Sequence, residues 1–245
     1  GRKPNIPSLE PSKIHGHFLD LPPAHSAKQS ITAVEWLIRT YLQSDGDITL
    51  VPVGPLTNIA LAIRQAPEIL EKIPEIVIMG GGHHVSNCTS SAEFNIWVDP
   101  EAARVVINCG RPIRLITLDA THEALFTLKT CAALRDAGTP AATCSASFAE
   151  VRIRAYDESQ PMASPGAAPI HDALAVCAIL EPDVVSTVYA HVDVETTGEL
   201  TDGRTVVDID RTGDRGRRLP NVNVALHADG EAFSEMMLRV LAKTI

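Results

Sequence analysis

The sequence predicts an α/β fold: an open, mostly parallel sheet flanked by helices, with an antiparallel edge hairpin near the C-terminus. Three observations carry this. Short unbroken apolar runs such as Ile76 to Met79 stop at glycine or proline, as strands covered on both faces do. Apolar residues at helical spacing separate these runs, so strand and helix alternate as in βαβ units. After Val188 the pattern changes to strict alternation, the mark of half-exposed strands.

The stretch from Ile48 to Pro100 is the centre of the chain. Ile48 to Val53 reads as a buried strand bounded by Gly54-Pro55. Thr57-Asn58 lead into a helix carrying Ile59, Leu61, Ala62 and Ile63, which ends near Ala66-Pro67. Ile76 to Met79 is the second strand and stops at Gly80-Gly81-Gly82, completing one βαβ unit. Beyond the glycines come Asn87, Thr89, Glu93 and Asn95, polar side chains just past a strand's carboxyl end. Open α/β sheets bind their ligands there.

Upstream, Ala33 to Leu42 has helical spacing, with Ser30 as the expected N-cap. Residues 1 to 30 are proline-rich and read as irregular loop. Downstream, Asp99-Pro100-Glu101 opens a helix that runs to Cys109-Gly110, and Ile113 to Leu118 forms the next strand. Thr121 to Ala137 and Ala141 to Tyr156 look helical. Asp157 to Pro169, with Pro161, Pro165-Gly166 and Pro169, reads as a flexible loop. His171-Asp172 start a helix that ends before Pro182. Val188 to Glu195 and Thr205 to Ile209 form the hairpin, Asn221 to Leu226 a further strand, and Glu231 to Ile245 a closing amphipathic helix.

Composition bounds the function. The 245 residues are expected to form a single domain, 1–245, with a substantial core. A net charge of -9 argues against a nucleic-acid partner, which needs a basic face. No apolar run approaches the roughly 20 residues of a membrane helix, so no membrane partner is expected. No apolar segment follows Gly1-Arg2-Lys3-Pro4, so a signal peptide is not expected, and Gly1 is not expected to be the natural start. Five cysteines without C-x-x-C spacing fit reduced thiols and a cytoplasmic location.

Three groups of residues are candidates to carry chemistry. Asn87, Glu93 and Asn95 combine neutral amides with one carboxylate, a set suited to sugar hydroxyls, although any one of them alone is more often a turn former or solvated. His171-Asp172 places an acid/base-capable imidazole beside a carboxylate; as a first-turn acid Asp172 also matches the helix dipole. Gly80-Gly81-Gly82 lacks the G-x-G-x-x-G and G-x-x-x-x-G-K-[ST] patterns, so a tight turn is favoured over a phosphate cradle. His83-His84 splay apart and supply no metal-ligand set, while His15-Gly16-His17 reads on residue type as loop histidines.

Taken together, Val53-Gly54-Pro55-Leu56-Thr57-Asn58, Val77-Ile78-Met79-Gly80-Gly81, Ala92-Glu93-Phe94-Asn95 and Asp99-Pro100-Glu101-Ala102-Ala103 resemble the inosine-uridine preferring nucleoside hydrolases. Leu118-Asp119-Ala120-Thr121-His122, Ile170-His171-Asp172-Ala173 and Gly203-Arg204-Thr205 agree, so the resemblance runs from about His15 to the C-terminus. It implies a Rossmann-like nucleoside hydrolase fold and a hydrolase of nucleoside catabolism and salvage. Such an enzyme cleaves the N-glycosidic bond of a ribonucleoside to free base and ribose at a calcium site, as a homodimer or homotetramer. By resemblance, Asp172 and the Val53 carbonyl are calcium ligands. Asn87, Glu93 and Asn95 bind the ribose hydroxyls, and Met79 packs on the sugar. His171 is the general acid for the leaving base, and His15 belongs to the base pocket.

The family's Asp-rich segment, D-x-D-x-G-x-D-D, is not found in this sequence. It supplies two calcium carboxylates and the base that activates water. The resemblance therefore implies an N-terminally truncated chain with an incomplete calcium site. The alternative is a non-catalytic ribose- or nucleoside-binding remnant. Base preference is left open, since it resides in the Tyr156 to Pro169 loop and around His15.

Overall fold

The structure is a computed structural model that describes residues 25–209 and 218–243. Its strands in chain order are β1 (Ile76–Met79), β2 (Ile113–Ile116), β3 (Leu125–Thr127), β4 (Ala167–Pro169), β5 (Val185–Val194), β6 (Thr205–Asp208) and β7 (Val222–Ala228). Its helices are α1 (Ala33–Gln43), α2 (Thr57–Gln65), α3 (Phe94–Val98), α4 (Pro100–Ile107), α5 (Leu118–Thr121), α6 (Leu128–Ala137), α7 (Pro140–Ser159), α8 (His171–Leu180) and α9 (Gly230–Leu241). The fold is α/β, as the alternation of elements predicts. The described residues fall into two compact units: Lys28–Ala120 with Val185–His227, and Thr121–Val184 with residues 228–243.

The first unit is built on a five-stranded sheet of order β1-β2-β7-β5-β6. β1 pairs in parallel with β2, Ile76 opposite Ile113 and Met79 opposite Ile116. β2 pairs in parallel with β7. All four residues of β1 are buried, which is why its sequence shows no alternation. β5 and β6 form the expected antiparallel hairpin, with Val194 opposite Thr205. Ile59, Ala60, Ala62 and Ile63 of α2 and Ala102, Ala103, Val106 and Ile107 of α4 join the same apolar cluster. Ile76, Ile78 and Leu115, fully buried, contribute roughly 1.5–3 kcal/mol each. An exposed pair such as Arg39–Glu35 is worth at most about 1 kcal/mol, so burial holds the unit together. Asp99 fixes the two helix starts: one carboxylate oxygen caps α4 through the Ala102 N–H and the other accepts from the Thr57 hydroxyl.

Several local expectations are corrected. Ile48 to Val53 is not a full strand. Only Leu50 bridges Ile76, in parallel, and Pro52 has no N–H to give to a ladder. Its carbonyl still accepts from Met79, so the run lies extended along β1. The N-cap of α1 is Thr32, not Ser30; its hydroxyl accepts from the Glu35 N–H. The stretch 121–137 is not one helix: Leu125–Thr127 pairs with Ala167–Pro169 as an antiparallel ribbon before α6 begins. Thr127 and Thr130 form a capping box that starts α6 at Leu128. The same ribbon puts a strand at the end of the supposed loop 157–169. Proline is tolerated there because both strands of a two-stranded ribbon are edges.

In the second unit, α6 and α7 make a helical hairpin. Ala142, Ala146, Ala149 and Ile153 are buried on one face of α7 at helical spacing, and alanine lets the neighbouring backbone approach closely. Arg135 on α6 donates two hydrogen bonds to Glu150 on α7. Phe233 of α9 packs on Phe126 of β3 with ring centroids 5.8 Å apart. All five cysteines are free, as their spacing suggests. No helix among the described residues is long and apolar enough to cross a membrane.

Two predictions follow from these interactions. Asp193 on β5 accepts from Arg104, Arg218, Asn108 and the Val194 N–H. Burial raises its pKa, but these partners outweigh that and hold it below the ordinary aspartate range. Its contribution is therefore complete above about pH 4 and lost as pH falls through the lower folded value. Asp193→Asn is expected to cost about 1–2 kcal/mol in urea unfolding at pH 6, with the difference shrinking toward pH 3. Burial also pushes the Cys131 and Cys177 thiols up to about 11. At pH 8, mass-spectrometric alkylation should find both at least about 100-fold slower in the native chain than in urea.

Candidate active site

In the first unit the carboxyl end of β1 runs straight into the glycine turn. The turn is not an empty cradle. Four consecutive backbone N–H groups donate to side chains: Gly81 to Glu93 at 2.9 Å, Gly82 to the Thr205 hydroxyl at 2.9 Å, and His83 and His84 to the two oxygens of Asp119 at 2.7 and 2.9 Å. A run of N–H groups of this kind would otherwise attract an anion. Here the chain's own carboxylates take that place, which disposes of the phosphate reading. Gly81 adopts φ +68°, and a Cβ on it would lie 2.6 Å from the Thr205 methyl, so only glycine fits against the hairpin.

The predicted sugar-binding residues gather around this turn. Glu93 is buried, and its carboxylate also accepts from the Ile96 N–H, making it the N-cap of α3. Asn95, on the first turn of α3, is 8% exposed and donates from Nδ2 to the Met79 carbonyl at 3.1 Å. The same nitrogen lies 3.5 Å from the Met79 sulfur. Asn95 Oδ1 makes no hydrogen bond among the described residues. Asn87 accepts from the Phe94 N–H at 3.0 Å and so ties the loop to the start of α3. Each of the three side chains is thus fixed by a backbone bond and held in one orientation. Val53, by contrast, is exposed.

In the second unit His171 is buried at the first position of α8 with both ring nitrogens engaged. Nδ1 lies 2.7 Å from the Thr121 hydroxyl and Nε2 lies 3.1 Å from the Tyr156 hydroxyl. Arg152 donates to the same Tyr156 oxygen and its guanidinium sits 5.0 Å from the Tyr156 ring centroid. Burial pushes the Tyr156 phenol up, against the opposing pull of Arg152. His122 stacks on His171 with centroids 5.8 Å apart. Asp172, one residue on, is exposed in the first turn of α8.

The sequence reading missed Asp119, Thr205, Thr121 and Tyr156 as parts of these arrangements. Of these, only Asp119, Thr121 and Thr205 fell within quoted motifs. His15 lies outside the described residues. Among the described residues, no three His, Cys, Asp or Glu side chains come together as a metal group. Calcium takes six to eight oxygens. The exposed Asp172 carboxylate and the Val53 carbonyl by themselves do not amount to such a site.

The profile of a family described as inosine-uridine preferring nucleoside hydrolase matches residues 4–235, nearly the whole chain. The chain belongs to this family. With it comes the reaction class, hydrolysis of ribonucleosides. A pyrimidine-specific ribonucleoside hydrolase of Escherichia coli K12, RihB, is 42% identical over 199 residues, which cover 80% of this chain and 63% of that relative. The chain thus spans just under two thirds of that protein. A purine-preferring ribonucleoside hydrolase from Gardnerella vaginalis superposes with TM-score 0.83 at 32% identity, over 94% of this chain and 72% of the other. A plant nucleoside hydrolase superposes with TM-score 0.86 at 26% identity, over 95% and 74%.

The second unit's hydrogen-bond chain generates a prediction of its own. Tyr156→Phe removes the oxygen shared by His171 and Arg152. It is expected to lower unfolding stability by about 1–3 kcal/mol, because the buried His171 Nε2 and the part-buried Arg152 guanidinium each lose a partner. Urea denaturation followed by far-UV circular dichroism measures this.

Proposed function

We propose that this chain binds and hydrolyses pyrimidine ribonucleosides, with the glycine turn and α3 as its sugar-binding element; by family resemblance, His171 is the general acid for the leaving base. The observation that carries the sugar-binding half is the buried pair Glu93 and Asn95 at the carboxyl end of β1. A buried carboxylate and amide, each oriented by backbone hydrogen bonds, suit vicinal hydroxyls, which both donate and accept. Asn95 Oδ1 is the acceptor for one hydroxyl, and Asn87 lies on the same loop. Met79, at the end of β1, offers an apolar surface to the sugar ring.

Cleavage of the N-glycosidic bond leaves positive charge on C1' of the ribose, and negative charge or a proton demand on the base. A carboxylate held in a dry site favours that cation electrostatically, and Glu93 is the carboxylate placed to do so. His171, held by Thr121 and Tyr156, gives the proton that lets the base depart as a neutral molecule. In the family, calcium supplies activation of the attacking water and a grip on the ribose hydroxyls. By resemblance Asp172 and the Val53 carbonyl would each be a donor to it, but these two groups alone do not fit calcium's six to eight oxygens. The preference for pyrimidines rests on the 42% identity to the pyrimidine-specific E. coli relative. A second reading, nucleoside binding without turnover, is favoured by the small number of metal donors among the described residues.

Ribose release from uridine, cytidine and inosine, with calcium and with EDTA, separates the readings. Turnover faster on uridine than on inosine and reduced at least about 100-fold by His171→Ala is the expected result, and its loss in EDTA would show calcium donors beyond Asp172 and Val53. Uridine binding that survives EDTA without any ribose release would replace catalysis by binding. Faster release from inosine would overturn the base preference.

A further inference from the structure

The first unit holds a feature that the assigned ribose ligands do not account for. The glycine turn has its backbone groups satisfied almost completely by remote side chains and backbone. The N–H groups of Gly81 to His84 go to Glu93, Thr205 and Asp119. The Gly82 carbonyl accepts from the Thr205 hydroxyl at 2.6 Å, and the Gly81 carbonyl from the Leu118 N–H at 2.9 Å. Thr205 therefore both accepts from and donates to one residue, as a paired strand would. Asp119 spans two successive N–H groups with its two oxygens.

We infer that Thr205 and Asp119 are positioning residues: they lock the Gly81–His84 turn in the one placement that aligns Glu93 and Asn95 for a ribonucleoside. This rests on the sugar-binding role proposed for that pair. The geometry gives the lock a direct path. Glu93 is bonded to the turn at Gly81, and Asn95 to Met79, two residues before it. A turn that shifts by an ångström carries both ligands with it. A second fastening lies on the same hairpin: Gly203, at φ +77°, sits so close to α3 that a Cβ would be 2.7 Å from the Trp97 Cα. The hairpin thus touches both sides of the pair, the turn through Thr205 and α3 through Gly203.

The lock differs in kind from ordinary core packing. Neither Thr205 nor Asp119 needs to touch the sugar, and their hydrogen bonds end on the backbone of the turn. Loss of one bond frees the turn without emptying the core. Substrate affinity is then expected to fall more than the rate of the bound complex, because ribose contacts made in both ground and transition state are weakened together.

The test uses the full chain and the variants Thr205→Val, Thr205→Ser and Asp119→Asn. Amide hydrogen exchange by mass spectrometry should quicken about tenfold or more in residues 80–97 of Thr205→Val and Asp119→Asn, and Thr205→Ser should stay near wild type. KM for uridine should rise about tenfold in the same two variants with kcat changed less than about threefold, and Thr205→Ser should keep the wild-type KM. Unchanged exchange in residues 80–97 overturns the lock. Faster exchange with unchanged KM overturns the positioning role, as does a Thr205→Ser chain that behaves like Thr205→Val. If wild type neither binds nor cleaves uridine, the functional reading fails, while the exchange data still decide for or against the lock. Global unfolding in a variant is recognised by fast exchange in β2 and β7 as well, and Thr205→Ser then carries the comparison.

Discussion

The constraint on which the first unit turns is the set of backbone donors left at the carboxyl end of β1. A strand that ends in a turn leaves backbone N–H groups without ladder partners, and the buried one at Gly81 would cost on the order of 1–3 kcal/mol if left unsatisfied. Burial falls along the turn to the exposed His84, so the need is greatest where the strand ends. The chain meets the need with side chains from α3, β6 and α5: Glu93, Thr205 and Asp119. This choice has consequences. It places a carboxylate in a dry position beside the sheet, and it requires the edge hairpin to lie against the turn. It also closes the turn to phosphate, although three glycines in a row invite that reading. Under the proposed function, the buried Glu93 that satisfies the turn is also the group that faces a polyhydroxyl ligand.

The parts of this arrangement that depend on neighbours in the sequence could be read from it. β1 and β2 match their apolar runs, α4 begins at Asp99-Pro100 because a capping carboxylate and a proline both favour a start, and the hairpin shows in its alternation. What failed to show was set at a distance. Thr205 lies 123 residues from Gly82, and Asp119 lies 36 from His83. An acid in a short apolar run and a threonine in an edge strand carry no local sign of such a partner. The helix α3 was hidden for a related reason. Its cap is a glutamate, whose usual place is inside the first turn, and only the turn's N–H groups explain why it caps here.

The second unit shows the opposite failure. Leu125–Thr127 is too short to display a period, and its neighbours are good helix formers, so helix is the natural local reading. Pairing with Ala167–Pro169 overrides it. The ribbon sets the ends of the long excursion through α6 and α7 and leaves α8 to begin at His171. The imidazole is then clamped by Thr121, just before the ribbon, and by Tyr156, on α7. The sequence showed His171 because the family motif marks it. It did not show the clamp, since Tyr156 reads as an ordinary core aromatic at helical spacing.

Clamping bears on chemistry through the number of protons an imidazole can hold. A neutral histidine offers one donor and one acceptor, and the neighbours at both nitrogens of His171 are hydroxyls. A hydroxyl serves as either donor or acceptor by rotating, so Thr121 and Tyr156 can follow a change of tautomer without any heavy atom moving. A carboxylate partner would instead fix the proton on one nitrogen and favour the charged ring. The arrangement is therefore suited to a residue that gives up a proton at one nitrogen and regains it. Arg152 donates to the Tyr156 oxygen, and burial pushes the phenol up against the pull of Arg152, so Tyr156 stays a neutral hydroxyl beside Nε2.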